Sequence, residues 1–293
     1  MSVILLSLDS NSIGDTICFI PCADKFTEVR HEKVIVKIKP FFQQFFKESY
    51  PNIKFYREGD VFDKELIIEY KFDKPMQQGF AEQMGFIEWD YIRPKIDLPK
   101  EPKPINKKYI TAGIHSTAQL KYWNNPLDRK FQTVSPYWSQ LFKKIKSKGL
   151  LPVVVERDEM FGVSPYMNGM PSSCMKKLGM DLFQTMTYIY HSEFFIGLSS
   201  GLSWIAHALG KPVVMISNFS EDWHEIDLNI PDYYRITNKS VCHGCWNKVG
   251  KTHSFDFSDW YWCPEHKDTS RQFECHFSMT PDYVYKHIEP LLK

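Results

Sequence analysis

Four cysteines fall within 34 residues, spaced C-x2-C-x17-C-x11-C from Cys242 to Cys275, beside Trp246, Phe255, Phe257, Trp260, Tyr261, Trp262 and Phe273. A segment that short buries too little apolar surface to fold unaided and needs a staple. Four thiolates around one ion would supply it, and the first pair has the knuckle spacing of tetrahedral zinc and iron sites. The second pair departs from that spacing, so two disulfides or four unrelated buried thiols stay open beside a metal site. If Cys242, Cys245, Cys263 and Cys275 ligate one ion, its role is structural, because four protein donors leave no position for water or substrate. Spacing does not choose iron over zinc, since tetrahedral thiolate sites suit both. Cys18 and Cys22, four apart beside Pro21, read as small apolar packing residues, and Cys174 contributes nothing to the site.

The remaining sequence describes a globular chain of one large or two medium domains. Lys and Arg total 36 against 35 for Asp and Glu, so no global field draws it to nucleic acid or a membrane surface. There is no apolar run of ~18 residues, which argues against a membrane span. The opening stretch 3–8 is apolar but lacks a basic leader and a small-residue cleavage site, so it reads as a buried strand rather than a signal peptide. With an odd number of cysteines, this points to a reducing cytoplasm.

Short apolar runs at 3–8, 34–38, 53–56, 66–70, 109–114, 151–155, 194–197 and 212–216 alternate with helical patterns around 15–26, 40–49, 136–147, 180–192 and 202–209. Continuous rather than alternating apolar strands, with helices between, predict parallel sheets covered on both faces. The stretch 98–108, L-P-K-E-P-K-P-I-N-K-K, holds three prolines and five charges and reads as a linker. Two α/β domains follow, 1–97 and 109–293, the second carrying the cysteine segment at 238–278.

Three turns suit an anionic ligand. Gly14, Asp15 and Thr16 open a helix after the first strand, where Asp15 is either a helix cap or a general base over a cleft. In His115-Ser-Thr-Ala-Gln-Leu-Lys121, the hydroxyls of Ser116 and Thr117 and the Lys121 ammonium suit phosphate oxygens, against the alternative of a solvated loop. Gly197-Leu-Ser-Ser-Gly-Leu-Ser-Trp204 is a strand, a small-residue turn and a helix start, whose free N–H groups and dipole favour pyrophosphate. All three lie at the carboxyl ends of predicted parallel strands, where α/β crevices bind ligands.

At these residues the chain resembles a known family. S-I-G-D-T-I, H-S-T-A-Q-x-K-x-W and G-L-S-S-G-L-S-W-x-A-x-A-L-G-K-P-V-V-M-I-S follow in the order of ADP-heptose glycosyltransferases, GT-B enzymes of glycosyltransferase family 9 related to the lipopolysaccharide heptosyltransferases. The segment V-C-x-x-C-W-N … F-D-x-x-D-W-x-W-C-P-x-H … R-Q-F-E-C is similar to that of the autotransporter O-heptosyltransferases, whose four cysteines hold iron. The resemblance implies two Rossmann-like domains facing a cleft, with the acceptor on 1–97 and the nucleotide sugar on 109–293. It implies Asp15 as the catalytic aspartate and Lys121 as the cation on the donor phosphates. Ser116 and Thr117 match the hydroxyl pair before that lysine, Met180 a residue packing on adenine, and Ser199, Ser200, Gly201 and Leu202 the loop under the pyrophosphate. Ser199 departs from the lipopolysaccharide branch, which has an acidic residue there. Glu156 is a candidate for the ribose hydroxyls. The chain is also shorter than the autotransporter enzymes, as though without an extra N-terminal domain.

The implied reaction moves a sugar, heptose by resemblance, from an ADP-sugar to an acceptor hydroxyl, such as a protein serine or a glycan, without a catalytic divalent metal. Lys121 and the turn at 200–202 would meet the charge on the departing diphosphate, and Asp15 would take the acceptor proton. Closure about 98–108 would exclude water. Iron is the implied structural ion, with zinc as the alternative, and a homo-oligomer is the implied assembly. The alternatives are another nucleotide sugar, a lipid or modified nucleic-acid acceptor, or a non-catalytic GT-B scaffold whose stapled segment binds a partner. A nucleic-acid module is disfavoured because Asp256, Asp259, Glu265, Asp268 and Glu274 cancel Lys248, Lys251, Lys267 and Arg271.

Overall fold

A computed structural model describes residues 2–123, 136–164, 166–256 and 258–292, so Phe257 and the stretch 124–135 of the expected second domain lie outside the described residues. The first half runs β1 (Val3–Leu8), α1 (Ile13–Val29), β2 (Lys33–Lys37), the single turn α2 (Pro40–Gln43), β3 (Lys64–Ile68) and α3 (Met76–Gln83). Its strands form a parallel sheet in the order β2-β1-β3, with the apolar β1 at the centre. The second half begins with β4 (Tyr109–Gly113), α4 (Pro136–Ser147), β5 (Leu151–Glu156), the hairpin β6 (Met160–Val163) and β7 (Tyr166–Gly169), β8 (Met175–Leu178) and α5 (Leu182–Tyr190). It continues with β9 (Phe195–Leu198), α6 (Gly201–Ala208), β10 (Val213–Ile216), β11 (Tyr233–Ile236), α7 (Glu274–Phe277) and α8 (Pro281–Ile288). Six of these strands pair in parallel in the order β11-β10-β9-β4-β5-β8.

The order of the larger sheet reverses at β4. The chain moves outward through β5 and β8 on one side, then returns to build β9, β10 and β11 on the other. The crevice beyond the carboxyl ends of β4 and β9 is therefore the topological switch point, the usual ligand position in an open parallel sheet. The loops carrying Lys121 and Ser199–Gly201 leave from those two ends.

The core is continuous across the halves. One buried cluster joins Leu6, Ile17 and Phe19 of the first half to Trp204, Ile205, Val213 and Ile226 of the second. The opposite face of the larger sheet is sealed by α4 and α8 through Trp138, Phe142, Val284 and Ile288. Two glycines let α1 and α6 meet at their N-termini: a Cβ on Gly14 would come within 2.9 Å of Trp204 Cδ1, and one on Gly201 within 2.5 Å of Ile13 Cγ2. Arg93 further joins the halves by a two-bond ion pair to Asp232, both bonds 2.9 Å long.

Two elements differ from the sequence expectation. The helical pattern over 40–49 yields only α2, because the side chain of Asp97 accepts the N–H groups of Glu48 and Ser49 and Pro51 follows. The apolar run 53–56 makes a single bridge, Val36 to Phe55, rather than a strand. The segment 98–108 has no regular structure, and Glu101 within it is bonded to Thr187 and His191 at the end of α5. Among the described residues, no helix is long and apolar enough to cross a membrane.

Candidate active site

Ser12 caps α1, accepting the Asp15 N–H at 3.4 Å, so Asp15 stands one turn in and its carboxylate is not the cap. Its Oδ2 accepts the Ser10 hydroxyl at 2.6 Å. Burial holds the Asp15 carboxyl above the ordinary aspartate range, while Ser10, the Lys121 charge and Ser12 pull it back down. Lys121 ends a single 3-10 turn after β4 and is only partly accessible. Burial lowers its pKa, and the charges of Glu225 and Asp15 act to raise it. The two groups thus feel each other through space, and no hydrogen bond joins them. The Lys121 ammonium faces aromatic rings instead, 4.5 Å from the Phe219 centroid and 5.8 Å from that of Trp246.

Behind this pair lies a buried ionic network. Arg235 Nη1 donates to Glu225 Oε1 at 2.8 Å, and Ser220 Oγ donates to the same oxygen at 2.5 Å. The second guanidinium nitrogen donates to the Ser220 carbonyl at 2.8 Å. Ser199 Oγ donates to Glu225 Oε2 at 2.9 Å, so the Ser199 hydroxyl, expected beneath a pyrophosphate, is committed to a carboxylate. Burial raises the Glu225 pKa, and the Arg235 charge and Ser220 bond more than reverse that, leaving it below the ordinary glutamate range.

The other expected residues sit around the crevice. Ser200 is the N-cap of α6, and its buried Oγ has no hydrogen-bond partner among the described residues. Gly201 and Leu202 occupy the first turn, where N–H groups have no intrahelical acceptor. Ser116 is buried and Thr117 exposed at the lip of the β4 loop. Met180 is half-buried just ahead of Asp181, the N-cap of α5. Glu156 at the end of β5 supports the β4 loop, its Oε1 accepting the N–H groups of Ile114 and His115 at 2.5 and 2.8 Å. Burial pushes Glu156 up to about 7.

The four clustered cysteines are free thiols: Cys245, Cys263 and Cys275 are buried in one cluster, with Cys242 packed against it. Cys242 Sγ lies 3.8 Å from Cys245 Sγ, a hydrogen bond that draws the Cys242 thiol down and the Cys245 thiol up. Cys275 Sγ turns to His276 Nδ1 at 3.4 Å. Among the described residues, no three His, Cys, Asp or Glu donors converge as a metal shell. The knuckle turn itself is built: Gly244 has φ +68°, and any Cβ there would collide with Glu221.

Sequence reasoning missed Glu225, Arg235, His224 and Tyr70. His224 Nε2 lies 2.5 Å from Tyr70 Oη, and Trp246 Nε1 donates to the same hydroxyl at 2.8 Å. The available signal was D-W-H-E at 222–225, a titratable group in the loop after β10, again at a carboxyl strand end.

No family model matches the chain. The autotransporter heptosyltransferase Aah of Escherichia coli is 30% identical over 289 residues, spanning 93% of this chain and 70% of Aah. The inactive autotransporter heptosyltransferase BimC of Burkholderia thailandensis is 24% identical, over 93% of this chain and 64% of its own. Among solved structures, the dodecameric iron-containing heptosyltransferase TibC from enterotoxigenic E. coli, in complex with ADP-D-beta-D-heptose, superposes with a TM-score of 0.87 at 26% identity, over 100% of this chain and 78% of TibC. The lipopolysaccharide heptosyltransferase II of E. coli shares the fold at a TM-score of 0.60 and 10% identity, over 100% of this chain and 98% of its own. The architecture is accordingly that of the GT-B glycosyltransferases.

Proposed function

The chain belongs to the autotransporter heptosyltransferase family, and from that premise we propose that it transfers a heptose from ADP-heptose to an acceptor hydroxyl, that of a protein serine in particular. The observation that carries this is the meeting of α1 and α6 at their N-termini, which sets Asp15 and the free N–H groups of α6 beside the switch point where the Lys121 turn leaves β4. The acceptor oxygen attacks the anomeric carbon, the bond from that carbon to the β-phosphate oxygen breaks, and ADP leaves with the bonding electrons. Asp15 takes the acceptor proton; its raised pKa makes it a better base than a solvated aspartate, whose reference value is about 3.9. Lys121 and the N–H groups of Gly201 and Leu202 face the charge growing on the diphosphate, a fixed electrostatic arrangement that needs no reorganisation as the reaction proceeds. Ser116, Thr117 and Ser200 offer hydroxyls to the phosphates and Met180 an apolar face to the adenine, while Ser199 anchors Glu225 beneath the loop.

Cys242, Cys245, Cys263 and Cys275 would hold one iron ion, with zinc as the alternative occupant. Thiolate donors suit either metal, and the 3.8 Å separation of Cys242 Sγ and Cys245 Sγ matches the edge of a tetrahedron with metal–sulfur bonds of about 2.3 Å. When bound, the ion supplies a structural cross-link and no open coordination position. Dodecameric TibC supports a homo-oligomer for this chain as well.

The donor site is tested at Lys121. Lys121→Ala is expected to weaken both ADP and ADP-heptose about 10- to 100-fold in calorimetric titration, as loss of a charge-assisted contact of roughly 1.5–3 kcal/mol requires. Lys121→Arg recovers only part, because a planar fork does not replace a compact ammonium. An unchanged ADP affinity in the Ala variant removes Lys121 from the site.

A further inference from the structure

The cysteine segment is more than a staple on the outside of the second half. The turn that carries Lys121 rests on it: Leu120, only 1% exposed, lies in the same cluster as Cys245, Cys263 and Cys275, and the Gln119 N–H donates to the Trp260 carbonyl at 3.3 Å. Trp246 follows Cys245 directly, and its ring stacks on Phe219 with centroids 4.7 Å apart, inclined by 33°. These two rings are the aromatic surfaces facing the Lys121 ammonium. Such attraction depends on where the ring faces lie, so moving the indole moves the favoured place for the charge. The same indole reaches the other half of the molecule. Its N–H donates to Tyr70 Oη, whose own hydroxyl proton goes to His224 Nε2, while His224 Nδ1–H donates to the Lys74 carbonyl at 2.7 Å. Burial pushes His224 down to about 4, which keeps Nε2 free to accept. Asn247 adds a bond to the Phe72 carbonyl at 2.6 Å, and Lys251 an ion pair with Asp73 at 3.3 Å.

We propose that Trp246 is a positioning residue for Lys121, so that the cysteine segment forms one wall of the donor diphosphate site and ties that wall to the first half through Tyr70. This rests on the reading of Lys121 as the diphosphate cation. A core aromatic that only stabilises the fold would also lower activity when replaced, so the test couples Trp246 to Lys121.

In calorimetric titration with ADP, Trp246→Leu is expected to weaken binding about 10-fold and Trp246→Phe about 3-fold, since one ring face remains. Placed on Lys121→Ala, Trp246→Leu should cost nothing further, because the charge it positions is gone; additive losses overturn the proposal. A second readout is independent of ADP. The rate at which an amine-reactive acylating reagent labels Lys121, followed by peptide mass spectrometry, should rise about 10-fold in Trp246→Leu relative to exposed Lys146. An unchanged rate overturns the proposal, and this arm decides even if Lys121→Ala leaves ADP binding intact, an outcome that defeats the diphosphate role instead. Should Trp246→Leu not fold, Trp246→Phe carries both readouts at the smaller amplitude.

Discussion

Replacing Asp15 with Ala is expected to slow heptose transfer by at least ~100-fold while leaving ADP affinity nearly unchanged. The loss belongs in kcat, because the carboxylate accepts its proton only as the acceptor oxygen attacks. A pH profile adds a signed test. Desolvation is the largest influence on Asp15 and raises its pKa, so the acid limb of kcat/KM should lie above the ~3.9 of a free aspartate. Activity falls as pH drops through that value, because the base becomes protonated. Ser10→Ala removes the 2.6 Å bond that stabilises the charged form and should move the limb to still higher pH. Near-normal turnover in Asp15→Ala would reduce this residue to a first-turn acid of α1, interacting only with the helix dipole.

The Cys242→Ser/Cys275→Ser double variant should lose its bound metal, its solubility and the folded state of 238–278 together. A structural thiolate site can contribute on the order of 10 kcal/mol to the fold around it, more than the small cluster of Trp262, Phe273 and Leu120 can replace. Elemental analysis of the purified chain, with circular dichroism of the variant, checks this. The expected result is one iron or zinc per chain in the native protein. A variant that stays soluble, metal-free and fully active would show that the four thiols pack without a metal. Because Leu120 and Trp246 belong to this cluster, any folded fraction of the variant should also bind ADP more weakly.

The parts of this site legible in the sequence are those in which one short segment carries both the geometry and the chemistry. Gly14-Asp15 and Ser200-Gly201 combine a permissive backbone with a helix start, and their position after apolar strands places them at a sheet's carboxyl edge. The C-x2-C knuckle is legible for the same reason, since Gly244 supplies its left-handed turn. The Glu225–Arg235 network was not legible, because two residues ten positions apart meet through the return of the chain from β10 to β11. Nor could periodicity show that 40–49 stops after one turn, since the acceptor that competes for its N–H groups is Asp97, 48 residues from Ser49. The junction of the halves through Tyr70, His224 and Trp246 likewise spans up to 176 residues and leaves no local pattern. Ser199 is a further case of a partner that no local pattern gives, since its hydroxyl is bonded to Glu225, 26 residues further along the chain.

The most direct measurement is an intact-mass assay with the purified chain, ADP-heptose and a serine-bearing protein acceptor. The expected result is a gain in acceptor mass by whole heptose residues with equivalent release of ADP, and loss of both in Asp15→Ala and Lys121→Ala. Donor that stays intact in the presence of acceptor and does not bind the native chain would contradict transfer, leaving a GT-B scaffold comparable to the inactive BimC.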